Sequence, residues 1–173
     1  MVEIGNVVEG TVDRIEPYAL FLNHAEGKVV VLAPEVSWHD HRSLRDRFKI
    51  GDVSRVLILR YNYKDEAYVG SIRRLHPELN PYRELSRLRP GTVLEGKVTS
   101  LAGDEVTVGL PNGAFGHVPK RLTPSHWERG QMVPVVITGL EVDEGRLWLD
   151  AAELCTNKTV NGSTEARERQ TAS

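Results

Sequence analysis

The chain has a single cysteine, Cys155, among its 173 residues, and this scarcity excludes two classes of structure. One thiol cannot build a disulfide framework within the chain. Nor can it supply a cysteine-based zinc cluster. No histidine and acid pattern accompanies Cys155, so we expect no nucleophilic role for it.

Long apolar runs are also missing, and none approaches the roughly 20 residues of a membrane-spanning helix. Residues 1–6 lack a basic stretch followed by a long apolar one, so we expect no secretory signal. The sequence therefore predicts a cytoplasmic protein without a membrane partner.

Neither sign of charge is in large excess, because 22 lysines and arginines face 24 acidic residues for a net charge of −2. Binding to nucleic acid by charge alone is therefore not expected, which leaves base stacking open. Hydrophobic residues make up 40% of the chain and charged residues 27%, a composition that excludes wholesale disorder.

Catalytic signatures are missing too, since the sequence has neither a glycine-rich phosphate loop nor a G-x-S-x-G motif. His39 and His41 lie in a polar segment without a third ligand nearby, which favours a solvated loop over a metal site. We predict a protein that is not an enzyme and that binds no cofactor or metal.

An internal repeat organises the chain. Residues 5–12 match residues 91–98 at an offset of 86, whereas Gly51 matches Gly130 at an offset of 79. The second copy has therefore lost seven residues between these two matches. Each copy is about 70 residues long, which indicates two small domains.

Alternation of apolar and polar residues predicts five strands in each copy. They fall near 7–12, 18–24, 28–33, 53–61 and 67–73, and again near 93–101, 105–110, 114–118, 132–142 and 146–150. Trp38 and Phe48 are the expected core residues of the first connector, at 35–49, and Trp127 and Trp148 those of the second copy. Five strands with a connector after the third give the strand order of an OB barrel.

Glycines and a linker complete this outline. Gly10 and Gly96 lie inside strands, where glycine is typical of a bulge or a sharp bend. Between the copies, Asn80 and Pro81 predict the start of a short helix that packs between the domains. Its expected apolar face is Tyr82, Leu85 and Leu88.

The predicted division is a first domain at 1–76, a linker at 77–90, a second domain at 91–153 and a disordered tail at 154–173.

Several short segments resemble, in the same order, the S1-type RNA-binding domain, an OB-fold repeat of bacterial ribosomal protein S1 and of polynucleotide phosphorylase. They are 5–12, 18–22, 34–38, 48–52 and, at the end of a repeat, 70–77 with 80–82. The resemblance covers 4–82 well and 88–153 more loosely. It implies an all-β chain of two tandem five-stranded OB-fold barrels joined by a short helical linker, the second repeat being degenerate.

The resemblance also implies single-stranded RNA across strands two and three, with bases stacked on two aromatic rings that match Tyr18 and Phe21. Since Leu20 and Leu22 flank Phe21, an inward orientation of these two leucines would turn Phe21 outward. Core packing remains the alternative for Phe21.

Two of the family's other contact positions differ here. A frequent histidine is replaced by Leu32 or Ala33, and an acidic residue by Asn62. The RNA-contact candidates near this point are Arg60, Tyr61, Asn62, Tyr63 and Lys64. The two tyrosines could equally pack at a strand end, and an arginine of the connector could contact phosphate or lie in solvent.

The second copy has Asp104 and Thr107 at the two stacking positions. Phe115, His117 and Lys120 are its candidate RNA contacts, although His117 could be structural. This copy could dock on protein instead.

Two functions follow as hypotheses. The first is a non-catalytic single-stranded RNA-binding protein that acts in translation or RNA metabolism. The alternative is a protein-docking adaptor that associates with the ribosome or an RNA-processing complex, which the missing histidine and the slightly negative charge favour. The sequence leaves the oligomeric state and the RNA open.

Overall fold

The computed structural model describes residues 1–154, which form two closed five-stranded barrels in two compact units. The first unit is Met1–Asn80, and the second begins at Pro81. The predicted all-β class with tandem OB-fold barrels is confirmed. Cys155 and the tail predicted over 154–173, apart from Leu154, lie outside the described residues.

The first barrel closes in the order β1-β2-β3-β5-β4. Its strands are β1 (Val7–Ile15), β2 (Ala19–His24), β3 (Gly27–Leu32), β4 (Val53–Asn62) and β5 (Ala67–Ser71). Strands β3 and β5 pair in parallel, and the other pairs are antiparallel. Its helical segments are short: α1 (Leu44–Arg47) and 3-10 turns at Ala33–Glu35, Arg73–Leu75 and Pro77–Leu79.

The second barrel repeats this topology, with the closed order β10-β8-β7-β6-β9. Its strands are β6 (Val93–Ser100), β7 (Glu105–Gly109), β8 (Phe115–Pro119), β9 (Met132–Glu141) and β10 (Arg146–Ala151). The only helical segment that residues 120–131 form is the 3-10 turn Lys120–Leu122, whereas the longer connector of the first barrel contains α1.

The core of the first barrel consists of the alternate residues that point inward. Leu20 and Leu22 of β2 are 0% and 1% exposed, and valines and isoleucine from β3 and β4 meet them. Burying side chains of this size stabilises the fold by about 1.5–3 kcal/mol each. Trp38 is buried and Phe48 packs partly buried against this core, as predicted for the connector.

A partly buried ion cluster joins the segments that follow β3 and β5. Arg73 and Arg74 both contact the carboxylate of Glu35, at 3.2 and 3.0 Å. Burial by itself raises the pKa of Glu35, but hydrogen bonds from Arg74, Ser71 and Arg73 outweigh it and lower the pKa below its ordinary value. Trp38 completes the cluster, because its indole Nε1 donates to the carbonyl of Arg73 over 2.8 Å.

The strand glycines allow neighbouring strands to approach closely. Of the two alternatives expected at them, no bulge occurs at either glycine, and a sharp bend stays a prediction. A Cβ atom on Gly10 would lie 2.9 Å from Cβ of Leu22, and one on Gly96 would lie 2.3 Å from Cγ1 of Val108. The register shifts come further along, between Val12 and Arg14 and between Val98 and Ser100. A side chain at either glycine would therefore force its neighbour on the next strand to move.

The linker helix is α2 (Tyr82–Leu85), and it belongs to the second unit. Tyr82 and Leu85 are buried, whereas Leu88 is 38% exposed. The hydroxyl of Tyr82 donates to the carbonyl of Phe115 over 3.2 Å and accepts from the same residue's N–H over 3.1 Å. Pro81 occupies the N-cap position expected for Asn80, and it makes no side-chain cap bond. Packing of this helix between the domains stays a prediction.

Candidate nucleic-acid interface

One row of side chains crosses the outer face of the first barrel on all five strands. Residues opposite one another on paired strands project to the same side of a sheet. The pairings Arg14–Phe21, Phe21–Val30, Val30–Val69 and Val69–Arg60 therefore define a continuous outer row of Arg14, Phe21, Val30, Val69 and Arg60. The row is apolar in its middle and has an arginine at each end.

Phe21 lies in this row because its neighbours Leu20 and Leu22 fill the core. The ring is half-buried, and the guanidinium carbon of Arg14 lies 3.8 Å from its centroid. A guanidinium is planar and stacks as a base does, so that face of Phe21 already supports a stacked planar group.

The sequence patterns missed Arg14. Strict alternation from Val12 would turn Arg14 inward, but the register shift between these two residues brings it to the outer face opposite Phe21. No residue type near this point signals the shift.

Tyr18 extends the aromatic end of the row. Its side chain is 60% exposed, and its ring meets that of Phe21 edge-on with centroids 6.3 Å apart. Its carbonyl accepts a hydrogen bond from Ala33 over 2.8 Å, which holds the start of β2 against the end of β3. Leu32, one of the two residues that could match the family's histidine, is 42% exposed on the same face. Tyr18, Phe21 and Leu32 thus give this part of the barrel an exposed apolar surface.

Arg60 and Asn62 line a shallow depression of about 110 Å³ beside β3 and β5. The amide of Asn62 is held by the following turn, because it donates to Asp65 over 2.6 Å and accepts from the N–H of Lys64 over 3.1 Å. Asp65 lines the same depression. Asn62 stands at a position where the family has an acidic residue, and Asp65, three residues later, brings a carboxylate to the same depression. Comparison of single positions with the family did not point to Asp65.

The remaining candidates near the end of β4 do not join Arg60 and Asn62 in one site. Tyr61 faces the core, where its ring lies 4.9 Å from that of Tyr68 between centroids, and it does not join Arg60 and Asn62. Tyr63 is 82% exposed and meets Tyr61 edge-on at 4.9 Å. Lys64 is exposed in the turn. The structure thus brings Arg60 and Asn62 to the outer face with Phe21 and leaves Tyr61 outside that face.

The arginines of the connector are largely engaged within it. Arg42 and Arg47 contact the carboxylate of Asp40 at 2.7 and 3.0 Å. The side-chain hydrogen bond from Arg42, first among several contacts, lowers the pKa of Asp40 well below its usual range. The connector histidine His39 has its Nε2 atom 2.6 Å from the carbonyl oxygen of Leu79. Residues 1–154 contain no group of three acidic, histidine or cysteine side chains placed to hold a metal ion.

The corresponding row of the second barrel has a different composition. Its paired residues are Ser100, Thr107, His117, Trp148 and Gly139. The expectation that Trp148 lies in the core was wrong, because its side chain is 39% exposed, whereas Leu147 and Leu149 are 1% and 0% exposed. Alternation around these leucines was the signal that could have placed Trp148 outside.

The predicted contacts of the second barrel lie at different places. His117 has its Nδ1 atom 3.4 Å from the hydroxyl of Thr107 and 3.6 Å from the carboxylate of Glu105. Phe115 lies half-buried two residues earlier on β8. Lys120 follows the strand, and its ammonium donates to the carbonyl of Leu101 over 3.1 Å. His117 and Phe115 therefore share a face, whereas Lys120 is engaged just after the end of β6.

No helix within residues 1–154 combines the length and the apolar character needed to span a membrane.

Comparison with known proteins gives matches to both barrels. The chain is 30% identical over 100 residues to small ribosomal subunit protein bS1 of Helicobacter pylori, covering 57% of this chain and 18% of that protein. It is 23% identical over 159 residues to bS1 of Rickettsia typhi, covering 84% of this chain and 27% of that protein. The chain therefore spans less than a third of the length of these relatives.

Among solved structures, the solution structure of GSP13 from Bacillus subtilis has 23% identity and a TM-score of 0.40, covering 44% of this chain and 59% of that one. The family model described as the S1 RNA binding domain matches residues 1–73 and again 87–151. With both repeats matched over most of its length, the chain belongs to the S1 RNA binding domain family.

Proposed function

We propose that this chain is a non-catalytic single-stranded RNA-binding protein that acts in translation or RNA metabolism. The observation that carries the proposal is the outer row of the first barrel, in which an apolar middle including Phe21 lies between Arg14 and Arg60. Membership of the S1 RNA binding domain family and similarity to bS1 proteins support the same function.

Bases would stack at the aromatic end of the row. Phe21 and the exposed Tyr18 supply two rings within 6.3 Å of each other. Stacking on such rings is worth about 1–3 kcal/mol per base and is tolerant of sequence. A base that stacks on the covered face of Phe21 displaces the guanidinium of Arg14, which then lies close to the strand's phosphates.

The depression, which reaches from the middle of the row to Arg60, supplies polar contacts. Arg60 offers a cation for phosphate, and Asp65 offers a carboxylate for ribose hydroxyls or base amino groups. The paired strands are about 4.8 Å apart, so the row is roughly 19 Å long over the curved sheet. A short single strand can therefore contact both ends at once.

Fluorescence anisotropy of a labelled single-stranded RNA of about 12 nucleotides tests the proposal, since this length is near the site size of an OB fold. Phe21→Ala and Tyr18→Ala should each weaken binding by about 1–3 kcal/mol. Ile50→Ala is the matched control, because Ile50 is 64% exposed in the turn before β4 and lies outside the row. Circular dichroism checks the fold of each variant. Equal affinity of Phe21→Ala and wild type would contradict stacking on the first barrel, and no binding by wild type at low salt would contradict RNA binding itself.

The exposed Leu32 favours a second candidate, the protein-docking adaptor. This leucine is 42% exposed and extends the apolar surface near Tyr18, at or next to the position where the family often has a polar histidine. An adaptor of this kind would remain with ribosomes after nuclease treatment and would lose that association in Leu32→Asp. An RNA-dependent association would disappear with the nuclease.

A further inference from the structure

We propose that the second barrel carries its own base-stacking site for single-stranded RNA, centred on Trp148 and bordered by His117 and Arg146. The site lies on β8 and β10. On the neighbouring strand β7, Thr107 stands where the first barrel's row has the ring of Phe21. This inference rests on the proposed RNA-binding function and adds a second point of contact to it.

Strand alternation brings the three side chains to one face. Arg146 and Trp148 lie two residues apart on β10, on the side opposite the buried Leu147. Trp148 is opposite His117 in the parallel pairing of β10 with β8. An indole, an imidazole and a guanidinium therefore lie together on the outer face.

The indole of Trp148 is seated on the sheet. Gly139 lies opposite it on β9, and a Cβ atom on Gly139 would lie 2.9 Å from Cε3 of the indole. The missing side chain leaves the space that the ring occupies, so the strand beneath supports the indole. The side chain nevertheless remains 39% exposed. A large, supported and exposed ring is the form that a base-stacking platform takes.

Comparison of the two rows explains the shift in position. Along the row, Phe21 corresponds to Thr107, Val30 to His117 and Val69 to Trp148. In the second barrel the large ring therefore lies two strands further along the row than in the first barrel. Arg60 corresponds to Gly139, and the nearby cation is Arg146 on the neighbouring strand.

The polar neighbours fit a nucleic acid because their present partners hold them loosely. Arg146 is 3.8 Å from the carboxylate of Glu141, and His117 is 3.6 Å from that of Glu105. The side chains of both pairs are 43–63% exposed, so water and salt weaken the attractions. Either donor can turn to a phosphate or a base edge without leaving a buried charge unpaired.

Tryptophan fluorescence tests this site directly. The chain has three tryptophans, of which Trp38 and Trp127 are 5% and 4% exposed, so Trp148 alone presents an accessible indole. The full chain is titrated with an unlabelled single-stranded RNA of about 12 nucleotides while its emission is followed. Stacking on Trp148 should quench the exposed component of that emission.

Variants separate the two barrels. In Phe21→Ala the quenching should persist, and adding Trp148→Leu to it should lower the remaining affinity about 5-fold or more, measured by anisotropy. Trp148→Phe should retain most of that affinity, since it keeps a ring that Leu lacks. Leu still covers Gly139, and circular dichroism checks the fold.

The outcomes distinguish this site from the first barrel's. Three results together would overturn the Trp148 site and leave the proposed function intact. RNA binding would be lost in Phe21→Ala, the tryptophan emission of the full chain would not change on addition of RNA, and Trp148→Leu would bind with wild-type affinity. The same result would follow if this face docks a protein. Quenching with unchanged affinity in Phe21→Ala would support Trp148 and overturn stacking on the first barrel. Absence of binding by every variant and by wild type would overturn both.

Discussion

Trp38 and Trp127 are both buried in the connector of their own barrel, yet among the described residues only Trp38 has a partner for its indole N–H. Trp38 donates to the carbonyl of Arg73 and has that residue's guanidinium carbon 4.1 Å from its ring. The Nε1 atom of Trp127 is buried without a partner among the described residues. A buried donor without a partner costs free energy that a bonded donor does not. The same residue type therefore contributes differently to the two barrels.

The two tryptophans give a prediction at this scale. Trp38→Phe should lower the free energy of unfolding by about 1 kcal/mol or more, because it removes a buried hydrogen bond. Trp127→Phe removes a donor that has no partner, so it should cost less, leaving only the smaller ring's lost packing. Denaturant unfolding followed by circular dichroism measures both. A larger loss of unfolding free energy for Trp127→Phe than for Trp38→Phe would contradict the conclusion that only Trp38 has a hydrogen-bond partner among the described residues.

At the scale of the strands, β6 and β7 approach closely where Gly96 faces Val108. Gly96→Ala should destabilise the second barrel by about 1–3 kcal/mol, because the added methyl overlaps a packed valine. Gly109→Ala on β7 is the matched control, since its nearest neighbours would be 3.4 Å from the added Cβ. Thermal unfolding of the two variants makes the comparison. Equal stability would mean that the strands can separate at Gly96 without cost.

Alternation predicted the strands well because inward positions require apolar side chains, as Leu20 and Leu22 illustrate. It could not predict the register shift before Arg14, since a one-residue bulge leaves no mark in residue type. The core position predicted for Trp148 was wrong for another reason. The size of its ring suggested burial, whereas strand alternation around the buried Leu147 and Leu149 places its side chain on the outer face. Asp65 was not predicted because it lies in the turn between β4 and β5, where strand alternation gives no information about side-chain direction. The turn brings it to the depression beside Arg60.

For the molecule as a whole, the net charge of −2 limits how much electrostatics can contribute to RNA binding. If Arg14 and Arg60 each pair with one phosphate, the logarithm of the affinity should fall with the logarithm of salt at a slope of about −1.4. Arg60→Gln should reduce that slope by about 0.7. Arg55→Gln is the control, because Arg55 is exposed on the same strand outside the row and its loss changes the net charge equally. A slope near −4 in wild type, or equal slopes in the two variants, would contradict the assigned contacts.

Closure of both barrels has a consequence for two similar repeats in one chain. An open sheet presents edge strands with unpaired backbone groups, to which a strand of matching sequence can add. Tandem domains of related sequence are prone to such misassembly while they fold. Within residues 1–154 each barrel pairs its first strand with its fourth, so neither leaves an edge to which a strand of the other repeat could add. The parallel pairings of β3 with β5 and of β8 with β10 complete this closure, so the described part of the folded chain offers no free strand edge for exchange between the repeats or with neighbouring molecules.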